Sequence, residues 1–279
     1  SNEISFDYLT QENFNINNNY QYMNIPKNSS FIFETKNSGY ISARNLVQAQ
    51  KNIFKSNRGE YINDIVVDIS KSKNIFNLKT NNNSTIFAKQ VLVCAGGFTN
   101  FTNILKTKLP IEIKGRTILL GEVKNQYISE LQKYPSLIHK PNDREDIYCL
   151  PAITYPDGKT YIKIGWSHFI NINSYKEAIS WFKGEMDSKE KNGLINELNS
   201  IYDKKILNSF HTNNCVVTWT KTKYPIVDEI EKNLFVSVGG NGHAAKSSDY
   251  IGNISAKYFT TGQWDQNLNR DLFTLASNI

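Results

Sequence analysis

The sequence has no unbroken apolar stretch of about 18 residues, so it offers no membrane-spanning helix. It opens without the charged, apolar and small-residue regions of a secretory signal. Cysteine is scarce: Cys94, Cys149 and Cys215 lie far apart, with no C-x-x-C pair. That leaves no sulfur-rich metal spacing, and an odd number argues against a disulfide framework. A reducing compartment, the cytoplasm, is expected. Basic blocks are lacking too. The 32 Lys and Arg outnumber the 26 Asp and Glu to give a net charge of +6, but the lysines are scattered. Nucleic-acid binding would want a clustered basic stripe and is not expected. A moderate positive charge suits an anionic substrate or a phosphate-bearing cofactor. No internal repeat is present.

What is there is an ordinary globular composition, 39% hydrophobic and 21% charged. Aromatic residues reach 12%, which fits a strand-rich core or a planar ligand. Residues 1–35 are polar and Asn-rich and end in a strand-like run, residues 30–34. Ser38-Gly39 reads as a turn. Residues 43–55 carry Leu46, Val47, Ile53 and Phe54 at helical spacing, and Gly59 closes that region. Residues 61–69 read as a strand, and 75–80 with 84–88 as a hairpin around three asparagines. Residues 89–95 contain the continuous apolar Val91-Leu92-Val93, expected of a buried parallel strand.

The middle differs. Strands are expected over 116–123, 148–155 and 160–167, the last two joined by the turn Pro156-Asp157-Gly158. Residues 174–207 are charged and periodic, which predicts two or three helices. Strands follow at 214–218 and 233–238, then a glycine loop and a helix over about 244–261. The order is α/β, a strand-rich insert with helices, then α/β again. Such alternation predicts two interleaved domains.

The glycine loop carries the most chemistry. A strand enters Gly239-Gly240-Asn241-Gly242-His243 and a helix leaves it at Ala244. Gly240 to Ala245 formally matches G-x-G-x-x-G/A, but no second strand with an acidic ribose ligand follows, so the dinucleotide unit is not completed here. Two readings stay open: a tight turn that packs helix on sheet, or an anion site. For the second, glycines permit close backbone approach, the helix end offers unpaired N–H groups and partial positive charge, and Lys246 adds a full charge.

Several segments together resemble the sarcosine-oxidase-like branch of the D-amino acid oxidase superfamily. They are Cys215-Val216-Val217-Thr218-Trp219-Thr220, Tyr224-Pro225-Ile226-Val227-Asp228, Asn233-Leu234-Phe235-Val236 and Gly239 to Lys246. Residues 39–50, 61–69, 90–98 and 148–169 resemble further family segments, in the family's order. The resemblance implies an α/β fold (α+β overall). An FAD/NAD(P)-binding-type parallel-sheet domain, here incomplete, would interleave with a substrate domain on a mixed, largely antiparallel sheet with helices. It places 1–42 and 113–214 in the substrate domain, and 43–112 and 215–279 in the FAD domain. It implies FAD as cofactor and oxidation of an amine or amino acid of the sarcosine, glycine or D-amino acid kind, with hydride transfer to flavin and reoxidation by O2.

The resemblance also assigns residues. Cys215 matches a cysteine bonded covalently to flavin in part of the family; otherwise it is a buried apolar cysteine. Lys163 matches a lysine that assists O2 activation; otherwise it is a solvent-facing strand residue. Lys246 matches the partner of a substrate carboxylate, and Tyr148 a flavin-facing tyrosine. His168 stands one place from the family's active-site histidine. Val67 and Gly96 match contacts to the adenosine part of FAD. Gly239, Gly240, Gly242 and His243 match the group beside the flavin pyrimidine.

The sequence departs from the family in three ways. Lys221-Thr222 follows Thr220 where the family has Thr-Pro-Asp. Ala244-Ala245-Lys246 replaces Gly-Phe-Lys. The first βαβ unit, with its nucleotide loop and a carboxylate-binding Arg, is not found in residues 1–40. A partner segment or second chain carrying that unit is therefore expected. Two alternatives remain: a dehydrogenase of the same superfamily passing electrons to another acceptor, or a non-catalytic subunit or fragment.

Overall fold

A computed structural model describes residues 5–17, 20–24, 26, 28–102, 104–141 and 146–279. The elements begin with β1 (Phe6–Thr10), α1 (Gln11–Asn17), β2 (Ser30–Glu34) and α2 (Ala43–Ser56). Next come β3 (Val66–Ser72), β4 (Ile75–Thr80), β5 (Thr85–Ala88), β6 (Val91–Val93) and β7 (Glu112–Val123). The middle holds α3 (Ile128–Leu131), β8 (Leu137–His139), β9 (Ile147–Thr154), β10 (Thr160–Trp166), β11 (Ile170–Asn171), α4 (Tyr175–Lys183) and α5 (Ser188–Ile201). The chain closes with β12 (Leu207–Trp219), β13 (Ile226–Glu231), β14 (Leu234–Val238) and α6 (Ala244–Thr261). Among the described residues no helix is long and apolar enough to cross a membrane.

Two compact units share the chain. The first comprises Ser1–Tyr40, Thr117–Phe169 and Phe182–Cys215; the second comprises Ile41–Arg116, Ile170–Trp181 and Val216–Ile279. Strands β7 and β12 each run through a boundary, so their residues divide between the units.

In the first unit β7, β10, β9 and β8 pair in that order, each antiparallel to its neighbour, and β12 pairs with β7. The core forms on one face of β10, where Ile162 and Ile164 are fully buried, as are Leu119 of β7 and Ile147 of β9. Helix α5 buries Leu194, Leu198 and Ile201 at helical spacing. Its N-cap Asp187 accepts hydrogen bonds from the backbone N–H groups of Lys189 and Glu190. The β9–β10 turn adopts the expected Pro156-Asp157-Gly158 corner, with Asp157 accepting from Lys159 N and from the Tyr161 hydroxyl.

The second unit contains an antiparallel meander, β3-β4-β5, and a mixed sheet in the order β13-β14-β6. Strand β6 lies parallel to β14, with Leu92 opposite Phe235, as its continuous apolar sequence predicts. Phe76, Val91, Val93, Ile226, Val236 and Val238 form the core between them. Helix α6 covers Ala244–Thr261 and ends at Gly262, whose positive φ of 69° closes the last turn through a bond from its N–H to Tyr258 O. Helix α2 buries none of its residues: Val47, Ile53 and Phe54 are half-exposed or more.

The structure differs from the sequence reading in particular places. The strand expected over 61–69 begins only at Val66. Before it, Tyr61 lies under Lys51 and Lys55 of α2, and the Asp64 carboxylate takes the N–H groups of Ile65 and Asn82, which holds a turn. The buried strand of 89–95 is three residues long and stops before Gly96, whose φ of 53° breaks the extended backbone. Strand β12 starts at Leu207 rather than 214. Elements β1, α1, α3, β8, β11 and β13 were not expected.

Candidate functional site

The site lies in the second unit, where β14 delivers the chain to α6. Val238 is buried and Gly239 turns the chain with φ of 93°. A side chain at Gly239 would also collide with Thr220 Cγ2, so both conformation and space demand glycine. At Gly240 a Cβ would stand 2.7 Å from the Ala244 Cβ, so the loop can lie this close to the first turn of α6 only without a side chain.

Asn241 fixes the loop. Its side chain is almost wholly buried, and its backbone has φ of 51°, a left-handed conformation that asparagine tolerates. The Oδ1 atom accepts from Thr220 N at 2.9 Å, while Nδ2 donates to Gly239 O at 2.7 Å. Its own N–H donates to Thr218 O at 2.8 Å, and Gly240 N donates to Thr218 Oγ1 at 3.1 Å. The loop is thus stapled to the end of β12 through Thr218 and Thr220. Sequence reasoning placed these threonines in a motif but missed Asn241 as their partner.

A cleft of about 480 Å³ opens beside this loop, within the usual size of ligand pockets. Gly96 and Gly97 line it from one side, Val216 and Thr218 from β12, and Gly240 and Ser248 from the loop and α6. Gly239 and Gly242 line it as well. His243 caps α6 without a capping bond from its side chain, so the helix end keeps its partial positive charge toward this region. The imidazole pKa is lowered, first by burial and then by the cations Lys246 and Arg116. Neutral imidazole therefore persists to lower pH than for an exposed histidine.

The predicted site residues fall into two groups. Gly96, Gly239, Gly240 and Gly242 line one cleft, with His243 and Lys246 at the adjoining helix start. Val67 of β3 is exposed and does not line it. The first unit brings Lys163 and Tyr148 together: Lys163 Nζ lies 5.5 Å from the Tyr148 ring centre. Gly165 opposite Tyr148 makes room for that ring, since a Cβ there would fall 2.6 Å from it. His168 is exposed, with its ring 6.5 Å from that of Trp166. Cys215 is half-buried and ends the first unit; the next residue, Val216, lines the cleft of the second.

Comparison with known proteins gives a consistent picture. No curated protein matches the sequence. The family described as DAO, FAD dependent oxidoreductase, matches residues 26–258. Among solved structures, fructosamine oxidase (Amadoriase II) of Aspergillus fumigatus, a deglycating enzyme, superposes with a TM-score of 0.77 at 16% identity, covering 98% of this chain and 67% of that one. Glycine oxidase of Geobacillus kaustophilus gives 0.70 at 14% identity, with 99% and 68% covered. NikD, an amino acid oxidase essential for nikkomycin biosynthesis, gives 0.70 at 11%, with 97% and 68% covered. This chain thus spans about two thirds of the length of these structures, and at such identities the likeness speaks for the fold. With the family match running over most of its residues, and with this fold behind it, the chain belongs to the DAO family of FAD-dependent oxidoreductases.

Proposed function

We propose that this chain forms the flavin-ring and substrate-facing part of an FAD-dependent oxidase of amines or amino acids, working in a reducing cytoplasm. The observation that carries the proposal is the stapled glycine loop at the head of α6, set beside a cleft with glycine backbone on both sides. In this reading the second unit holds FAD and the first shapes the substrate pocket.

The residues fit the cofactor. Cβ atoms built at Gly96 and Gly252 meet nothing within 4 Å, so glycine leaves these walls of the cleft open to a flat group. The walls are largely apolar, as a ring system requires, and the start of α6 supplies N–H groups and positive potential for an electron-rich ring edge. The chemistry supplied by bound FAD is acceptance of a hydride equivalent from the carbon bearing the amine, with two electrons passed on to O2 to give H2O2. Gly239, Gly240 and Gly242 would let the backbone approach the ring, and His243 would stand neutral at its rim. Lys246 would pair with a substrate carboxylate. Lys163, with Tyr148 beside it, would stabilise the negative charge that develops on O2. Val67 would contact the adenosine part, His168 would face the substrate, and Cys215 would be the point of any covalent attachment.

Helix α2 leaves Val47, Ile53 and Phe54 exposed, and among the described residues β6 is paired on one edge only; each is a feature for a further segment to cover. We assign both to a segment carrying the nucleotide-phosphate loop, in the same polypeptide or another.

The visible spectrum and intact mass of the purified protein test the proposal. A yellow protein, with mass raised by one FAD if Cys215 is the attachment point, is the expected result. O2 uptake with amino acids distinguishes an oxidase, and dye reduction without O2 uptake a dehydrogenase. A protein that stays colourless with FAD even when the nucleotide-loop segment is supplied would refute it.

A further inference from the structure

A second cleft, of about 290 Å³, opens in the second unit at the opposite end of β14 from the glycine loop. Leu234, the first residue of β14, lines it, whereas Val238, the last, leads into the loop. No residue lines both clefts. Strands β3, β4, β13 and β14 and residues 104–109 supply its walls. Its floor is apolar: Phe76, Ile104, Leu109 and Leu234 are each buried by nine-tenths or more. Folded interiors leave few voids larger than a water molecule, and this one stands near the lower end of ligand pockets, roughly 300 Å³.

The rim above that floor is basic. Lys71 Nζ donates to Glu231 Oε1 at 3.2 Å and to Lys232 O at 2.6 Å, and lies 4.6 Å from the centre of the Phe76 ring, so its charge is fixed in place. Lys106 and Lys108 also line the cleft; both are exposed, and neither has an acidic partner among the described residues. Glu231 is the acidic residue in the lining and is matched by Lys71, so two lysine charges are left over. The loop that carries them is held in shape from behind. Asn100 Nδ2 donates to Leu109 O at 2.8 Å, and Leu109 N donates to Asn100 Oδ1 at 2.8 Å. A preformed apolar hollow under surplus positive charge selects a ligand with an apolar body and a negative head. Packing alone would explain the buried floor but not the open volume above it or the unmatched lysines at its edge.

We propose that this cleft is a binding site, separate from the flavin cleft, for a small amphipathic carboxylate such as a short fatty acid. The apolar chain lies on Phe76 and Leu234, and the carboxylate sits among Lys71, Lys106 and Lys108. The site stands whether or not the chain holds flavin, because no residue of the flavin cleft takes part in it.

The test reads the methyl resonances of 13C-labelled isoleucine and leucine in the purified protein, with whatever flavin it carries. Leu105 lines the cleft and is only partly buried, so Leu105→Val identifies its signal at little risk to the fold. Sodium octanoate is titrated below its micelle concentration at constant ionic strength. Octyltrimethylammonium, with the same chain and opposite charge, and sodium acetate, a carboxylate without the chain, are the controls. Octanoate should move the Leu105 signal saturably, and the two controls should not. Reversing both exposed charges, Lys106→Glu with Lys108→Glu, should weaken octanoate binding about fivefold or more. Lys106→Gln with Lys108→Gln should show a smaller loss. A Leu105 signal that octanoate leaves unmoved, or that octyltrimethylammonium or acetate moves as much, would overturn the proposal. So would unchanged octanoate affinity in both double variants. Octanoate that shifts only a methyl of the flavin cleft, such as that of Ile251, counts against it in the same way.

Discussion

Replacing Asn241 by alanine should be among the most damaging single changes in the second unit. Two kinds of cost combine. Alanine in the left-handed conformation that Asn241 holds costs roughly 1–2 kcal/mol. The lost amide also leaves Thr220 N–H and Gly239 O without their partners at 2.9 and 2.7 Å in a buried place. Each such bond is worth about 0.5–1.5 kcal/mol net, and a stranded buried group costs about 1–3 kcal/mol. The expected loss for Asn241→Ala is about 3–5 kcal/mol, a large part of the roughly 5–15 kcal/mol that holds a domain folded. Asn241→Gly should be about 1–2 kcal/mol less damaging, because glycine accepts the positive φ. Urea unfolding followed by circular dichroism and tryptophan fluorescence measures this. With a slope near 2 kcal/mol per molar urea, the alanine variant should shift its midpoint by roughly 2 M. The staple would be wrong if the alanine variant fell within about 1 kcal/mol of the wild type, or if glycine proved worse than alanine.

Two other expectations follow from ionisation. The Glu122 carboxyl is held at about 2, chiefly by the hydrogen bond from Lys159 and then by those from Ser209 and Asn208, against an ordinary value of 4.5. Its folded pKa is depressed, so its stabilisation is complete above pH 4.5 and fades as pH falls toward 2. Glu122→Gln should therefore flatten the loss of stability across that window in acid unfolding curves; an unchanged slope contradicts the assignment. Burial pushes the Cys149 thiol up to about 12; it raises the Cys94 thiol as well, but Cys94 remains open to solvent and reagent while Cys149 is sealed. Iodoacetamide at neutral pH should label Cys94 and spare Cys149 until the protein is unfolded, as peptide mass spectrometry would show; equal rates in the native state would contradict the burial.

How much of this was legible in the sequence depended on whether the cause was local. The glycine loop, the helix behind it and the apolar Val91-Leu92-Val93 strand announce themselves by composition and periodicity, and the structure has them. The hairpin at Pro156-Asp157-Gly158 is equally local. Strand β13 was missed because Ile226 and Val227 are followed by the acidic run Asp228-Glu229-Ile230-Glu231, which breaks apolar alternation, and only pairing with β14 makes a strand of them. The turn at Asp64 depends on Asn82, 18 residues away. Within the site, Asn241 looked like one of many asparagines, and its role appears only when Thr218 and Thr220 are brought beside it.

The parallel pairing of β6 with β14 also bears on how the protein comes into being. Leu92 and Phe235 are separated by about half of the 279 residues, and among the described residues β6 has no other strand neighbour in its sheet. Closing so long a loop is entropically costly before any contact repays it, which makes such sheets slow to form. On the ribosome, Val91-Leu92-Val93 therefore lacks its β14 partner until residues 234–238 have emerged. That interval exposes the nascent chain to aggregation. Overproduction should accordingly benefit from slow synthesis at low temperature more than from any change to the surface of the finished fold.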